Sequence, residues 1–291
     1  MRISSIQLRT PNLARAREFY VDILGFEPVE EDGRILELFA DIDREPLVTI
    51  EELPGATPRP EFSTGLYHGA FLMPDRKELA RILARLAEKR YPLQGFADHG
   101  VSEAIYLSDP DGNGIELYAD RRRDAWPKKN DEIEMFTHPL DLENLLSEID
   151  DETPAWVGIH PETTIGHIHL QVSDLSRSGP FYHDVLGYDI VQKSFPGALF
   201  LSTGGYHHHI GLNTWNSRGA SAPPNGSTGM MRFSLETTDL ITLRHLQVQF
   251  VYKEVPFEEI PATNNSMPSL LVRDPDGIEI EIVIQQKVLV N

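Results

Sequence analysis

The sequence predicts an α+β fold made of four βαβββ modules that pair into curved half-barrel sheets around a cavity. Three observations predict it: a long internal repeat, a strand–helix–strand pattern recurring inside each repeat, and an ordinary globular composition. FYVDILGFE at 19–27 is echoed by FYHDVLGYD at 181–189, and IQLRTPNL at 6–13 by IHLQVSDL at 168–175, both at an offset of 162 residues. The two DPDG tetrapeptides, at 109–112 and 274–277, lie 165 residues apart. Half a chain has been duplicated. The 291 residues are 40% apolar and 24% charged, which suits about two domains of roughly 150 residues each.

Each half divides again. The first module (about 1–60) opens with an alternating strand at 3–10, runs a helix near 13–24 stopped by Gly25, and returns in strands through Ile50. In the second (about 61–120), residues 67–73 alternate and Asp75 caps a helix with Leu79, Ile82, Leu83 and Leu86 at helical spacing. Strands at 105–107 and 115–118 then flank the turn Asp109-Pro110-Asp111-Gly112. Residues 121–163 read as a polar linker with a short amphipathic stretch at 140–149. The third module (about 164–225) starts with a strand at 166–172 and ends its helix at Gly187, with Gly179-Pro180 expected to kink it. The fourth (about 226–291) starts at 231–235, has a helix near 240–247 and finishes at 278–284. Thus 1–120 and 164–291 each hold a pair of modules. A lone module cannot bury its sheet face, so pairing must supply both core and pocket.

Composition removes several function classes. A formal net charge of −19 repels a phosphate backbone, so no nucleic-acid partner is expected. Cysteine is absent, which leaves only His, Asp, Glu and neutral donors for any metal. No run approaches the roughly 18 uncharged apolar residues of a membrane span. The opening MRISSIQLRT lacks a signal-peptide core, so a soluble, cytoplasmic protein is expected. The one basic run, Arg121-Arg122-Arg123, reads as a solvated edge, with attraction of an acidic substrate as the secondary reading.

Of the eleven histidines, His138, His160, His183 and His245 fall in the linker or in helices and read as surface or capping residues. The other seven, His68, His99, His167, His169, His207, His208 and His209, lie in or beside strands. The opening strands align on the cap positions Asn12, Asp75, Asp174 and Asp239; seven residues upstream stand Ser5, His68, His167 and Arg232. Each closing DPDG turn is followed, four residues past its glycine, by a carboxylate: Glu116 and Glu281. Any one strand histidine reads most simply as a packed residue. Three candidates at aligned positions of one repeat argue instead for the set His68, Glu116 and His167. Two histidines and one carboxylate on one side of an ion form the facial triad of non-haem ferrous iron, with open positions for substrate and oxygen. If the first two modules paired alone, the set would be His68, Glu116, Glu51 and Ser5, which includes a poor ligand. Aromatic Phe200, Tyr206 and Trp215 are candidates to line the pocket, with core packing as the default.

The segment DHGVSEAIYLSDPDGNGIELY at 98–118 closely resembles the signature of extradiol ring-cleavage dioxygenases, with His99, Ile105, Tyr106, Asp109, Pro110, Gly112 and Glu116 in place. Ala97 departs from it, where Gly, Asn, Thr or a β-branched residue is usual. The module pattern is similar to that of the vicinal oxygen chelate superfamily of glyoxalases, bleomycin-resistance proteins and dioxygenases. The segments GHIHL at 166–170 and GGYHHHIGLN at 204–213 are similar to those of bacterial catechol-cleaving members. The resemblance implies that His68, His167 and Glu116 hold Fe(2+), with Mn(2+) as the alternative. It also implies that His99 and Tyr106 hydrogen-bond the substrate oxygens, and that His208 or His209 is the acid/base histidine. Strand alternation would turn His208 away from His207 and His209. In common four-module dioxygenases the last two modules make the site; here the histidines fall in the second and third, and Glu281 reads as a relic or structural acid.

The implied reaction is meta cleavage of a catechol-type aromatic diol with O2 to a muconic semialdehyde. Two rivals stand on the same fold. A glyoxalase-like isomerase or lyase usually has two carboxylate ligands, whereas the third module's strand after His209 offers only Asn213. A non-catalytic aromatic- or drug-binding protein would leave the triad unused. An exposed sheet edge is compatible with a homo-oligomer.

Overall fold

A computed structural model describes residues 1–129, 132–263 and 266–285; residues 130–131 of the expected linker, and 264–265 and 286–291 of the expected fourth module, lie outside them. The first module comprises β1 (Arg2–Thr10), α1 (Leu13–Arg17) continuing through π-helical turns (Glu18–Ile23), β2 (Glu27–Glu31), β3 (Ile35–Phe39) and β4 (Val48–Glu52). The second has β5 (Gly65–Leu72), α2 (Arg76–Glu88), β6 (Gly95–Asp98), β7 (Ser102–Ser108) and β8 (Gly114–Asp120). The linker adds a two-residue pair, β9 (Lys128–Lys129) and β10 (Glu132–Ile133), and α3 (Leu142–Leu146), shorter than the amphipathic stretch suggested. The third module holds β11 (Thr164–Gln171), α4 (Leu175–Pro180) with π-helical turns (Phe181–Val185), β12 (Asp189–Gln192), β13 (Ala198–Ser202) and β14 (Ile210–Asn213). The fourth holds β15 (Gly229–Thr237), α5 (Leu240–Tyr252), β16 (Phe257–Ile260), β17 (Ser269–Arg273) and β18 (Glu279–Ile284).

The four aligned cap residues all cap. Asn12, Asp75, Asp174 and Asp239 sit in extended backbone, and their side chains accept from the N–H of Arg15, Glu78, Ser176 and Thr242. Each satisfies a donor the first helical turn would leave bare. The proline expected to kink the third module's helix is not the cause of its irregularity. The first module makes the same switch from α to π geometry with no proline, so the shared FYxD(I/V)LG run carries it.

Pairing crosses the duplication. Modules two and three form one eight-stranded sheet, β12-β13-β14-β11-β5-β8-β7-β6, and modules four and one form the other, β16-β17-β18-β15-β1-β4-β3-β2. Neither 1–120 nor 164–291 closes a sheet by itself. The two sheets are tied to each other through the DPDG turns. Tyr20 donates to Asp109 (3.1 Å) and Tyr182 to Asp274 (3.0 Å), each phenol reaching from one sheet's helix to the other sheet's turn. The main apolar core lies between the sheets, and Gly69 admits Ile6, whose Cδ1 lies 2.6 Å from where a Cβ would be.

The junction strands β5 and β11 run antiparallel with two register shifts, which leave Gly166 and Tyr67 as extra residues directly before His167 and His68. The junction of β1 and β15 has the same two shifts, at Ser4 before Ser5 and Met231 before Arg232. A bulge re-aims the residues beside it. The bulge at Tyr67 breaks the alternation expected of 67–73, and Tyr67 and His68 both line the same cavity.

Candidate metal centre

On β5 and β11 the core takes Leu66, Phe71, Ile168 and Leu170, which leaves His68, His167 and His169 for the opposite face. On β8, Glu116 lies in register with Ala70. His68 Nε2 and His167 Nε2 each stand 3.1 Å from Glu116 Oε2, and the three donors lie within 4.8 Å of one another. All three residues are buried. Although that close to Glu116, the buried His68 Nε2 makes no aligned hydrogen bond among the described residues, which is costly unless a cation shares the space. Ligands at right angles, about 2.1 Å from one divalent ion, are themselves about 3.0 Å apart, so the donor set fits a metal.

Electrostatics agree. Burial works against a charge on Glu116, but His167 and His68 outweigh it and hold its carboxyl well below the usual carboxylate range. Burial pulls His167 down to about 4, offset only in part by Glu116. An ionised carboxylate beside a neutral His167 imidazole is the protonation state a divalent metal needs.

Around this set lies a cavity of about 230 Å³ whose apolar wall includes Val101, Met135, Phe136, Phe195, Phe200 and Trp215. Into it face His99, Tyr106, His169 and His208. The Phe136 carbonyl can only accept, so His99 Nδ1–H donates to it (2.6 Å), which leaves His99 Nε2 to accept from the Tyr106 hydroxyl (2.7 Å). The His208 ring lies 4.0 Å from that of His167, and burial followed by His167 holds its pKa well below the ordinary histidine value.

The profile of the Glyoxalase/Bleomycin resistance protein/Dioxygenase superfamily matches residues 2–117 and 164–282. The chain belongs to that superfamily. A Bacillus subtilis (strain 168) protein named catechol-2,3-dioxygenase is 46% identical over 292 residues, covering 97% of both chains. Biphenyl-2,3-diol 1,2-dioxygenase 3 of Rhodococcus globerulus is 32% identical over 124 residues, 41% of this chain and 63% of that one. The crystal structure of glyoxalase I from Zea mays covers 97% of this chain and 92% of its own, with TM-score 0.60 and 17% identity. A Bacillus subtilis crystal structure covers 99% and 86%, with TM-score 0.67 and 14% identity. At such identities the structural likeness concerns the fold.

Within this superfamily fold the two sheets are unequal. In the second sheet Ser234 pairs with Glu281 in the same register as Ala70 with Glu116, yet Arg232 stands where His68 does. Its guanidinium lies 3.5 Å from both Glu281 and Glu279, and Glu281 also accepts from Ser269 Oγ (2.8 Å). A fixed cation thus neutralises that carboxylate. In the first module Gln7 pairs with Thr49, so Thr49 holds the carboxylate's place; Glu51 lies two residues on, beside Arg9. In the third module the place falls to Gly211, where a Cβ would come within 2.9 Å of the His169 ring.

The structure does not bring His209 to the cavity. Its Nδ1 accepts from the Thr203 N–H (3.3 Å) and lies 2.9 Å from Ser202 Oγ. Nor do residues 207–209 form a strand; they precede β14, so strict alternation fails and His207 Nδ1 lies 2.8 Å from His208 Nδ1. Phe200 and Trp215 line the cavity, while Phe200 and Tyr206 also belong to a buried apolar cluster and Tyr206 packs on His207. Two contributors escaped sequence reading. The linker supplies Met135 and Phe136, which carry no periodic pattern, and Asp120 lies four residues beyond Glu116 on β8, a same-face spacing that reading could have used. The arginine run points elsewhere: Arg121 pairs with Asp98 and Glu103, Arg122 with Asp124, and Arg123 lies over Trp126 and Tyr206.

Proposed function

We propose that this chain is a cytoplasmic extradiol dioxygenase that cleaves a catechol-type aromatic diol with O2 to a muconic semialdehyde, using Fe(2+) held by His68, His167 and Glu116. The observation that carries this reading is the convergence of two imidazoles and one buried carboxylate beside an aromatic-walled cavity. Three ligands leave room for a diol and oxygen. Bound ferrous ion would supply Lewis acidity that favours the catecholate and the redox partner that dioxygen chemistry requires. The 46%-identical relative named for the same reaction supports it.

The chain's own residues have distinct tasks in this reading. The wall of Phe195, Phe200, Trp215 and Val101 takes the ring and keeps water away. The Tyr106 hydroxyl, anchored through His99 to the Phe136 carbonyl, orients a substrate oxygen. His208, neutral and facing the cavity, takes the diol proton and returns it as the ring opens. Both atoms of O2 enter the product, and no external reductant is needed.

The experiment is anaerobic loading with ferrous ion, then oxygen uptake across a panel of catechols. One O2 consumed per diol with a yellow product supports the reading. Tight catechol binding without uptake would establish a binding protein, and hemithioacetal turnover an isomerase.

A further inference from the structure

We propose that Asp120 is a positioning residue which, acting through His207, holds His208 in a single tautomer with a bare Nε2 toward the cavity. The proposal rests on the reading of His208 as the proton-transferring group. Three side chains stand in a line: His207 Nε2 is 3.0 Å from Asp120 Oδ1, and His207 Nδ1 is 2.8 Å from His208 Nδ1. His207 is fully buried, so its two hydrogen bonds are not traded for water.

The direction of the line follows from donor chemistry. A carboxylate oxygen can only accept, so the His207 proton sits on Nε2. With one proton per ring, His207 Nδ1 is then an acceptor, and the proton between the two Nδ1 atoms belongs to His208. That leaves His208 Nε2 unprotonated, able to accept from a diol hydroxyl. The carboxylate is itself held: Tyr206 donates to the same Oδ1 (3.2 Å), and the Tyr118 hydroxyl lies 2.7 Å from that of Tyr206. Glu116, Tyr118 and Asp120 share one face of β8, so a single strand carries both the metal-binding carboxylate and the orienting one. Without Asp120 nothing fixes which ring nitrogen of His208 carries the proton. An Nε2–H form cannot accept one.

The test reads the tautomer directly. In the metal-free protein with 15N-labelled histidine, long-range proton–nitrogen spectra are expected to show His208 protonated at Nδ1 only. In Asp120→Ala the Nε2–H form should appear, and in the iron-loaded variant kcat should fall about tenfold or more while KM changes little. Wild-type His208 found protonated at Nε2 overturns the proposal, as does an unaltered tautomer and kcat in Asp120→Ala. The underlying reading fails separately: if His208→Ala turns over catechol at the wild-type rate, His208 is not the proton-transferring group, whatever its tautomer.

Discussion

Gly166 is overlain by Tyr118: a Cβ at residue 166 would overlap the phenol hydroxyl, and only glycine admits that ring. The Tyr118 ring in turn packs against His167 at 4.8 Å, and its hydroxyl meets Tyr206. The glycine beside the bulge therefore seats a phenol under one candidate ligand and against the carboxylate network.

Gly166→Ala should displace Tyr118 rather than merely crowd it. Overpacking of this kind costs about 1–3 kcal/mol. The expected outcome is a lower denaturant midpoint together with weaker ferrous-ion retention, read by denaturation of the metal-free protein and by metal analysis after gel filtration.

Removing a ligand should separate from removing a histidine. His68→Ala, His167→Ala and Glu116→Ala are each expected to abolish iron retention, whereas His245→Ala, on the exposed side of α5, should retain iron like the wild type. Metal content per chain after anaerobic loading and desalting measures this.

The two Tyr–Asp ties should differ in worth. Asp109 and Asp274 are both buried, and each accepts from one tyrosine hydroxyl. Asp109 Oδ2 also accepts from Asn113 Nδ2 (2.8 Å), so Tyr182→Phe should cost about 2 kcal/mol and Tyr20→Phe less. Equilibrium urea unfolding of the two variants checks the order as well as the size.

Acid should destabilise the metal-free protein below about pH 6.5. Burial, then the nearby N-terminus, holds His209 down to about 3, and burial holds His167 to about 4. Their folded pKa values lie below the unfolded ones, so the unfolded chain binds the extra protons. Their stabilisation is full above pH 6.5 and is lost as pH falls toward 3. Asp274, raised by burial to about 6, works the other way: its cost to the fold grows as pH rises from about 4 to 6. With His169 and His208 also depressed by burial, four histidines outnumber the raised acids Asp109, Asp274 and Glu37, so the midpoint should drop between pH 7.5 and 5. In His209→Gln that drop should be shallower.

Much of this was legible because it rests on local chemistry repeated four times. Asp75 and its three counterparts cap because extended backbone before a helix rewards a side-chain acceptor. Counting seven residues back from each cap finds His68 and His167, and the DPDG turn finds Glu116. What stayed hidden depends on long-range geometry. Period-two reasoning put Tyr67 opposite His68, but the bulge turns both to the cavity. It also separated His207 from His208, but that segment is not a strand. The Phe136 carbonyl that orients His99 belongs to a segment with no periodicity, and a backbone acceptor leaves no mark on side-chain patterns.

The central claim is that His68, His167 and Glu116, from modules two and three, share one metal ion. Anomalous diffraction at the iron edge from crystals loaded anaerobically with ferrous ion tests it most directly. One peak per chain is expected, bonded to His68 Nε2, His167 Nε2 and a Glu116 oxygen. Iron bound at any other side chains, with these three left paired to one another, would contradict it.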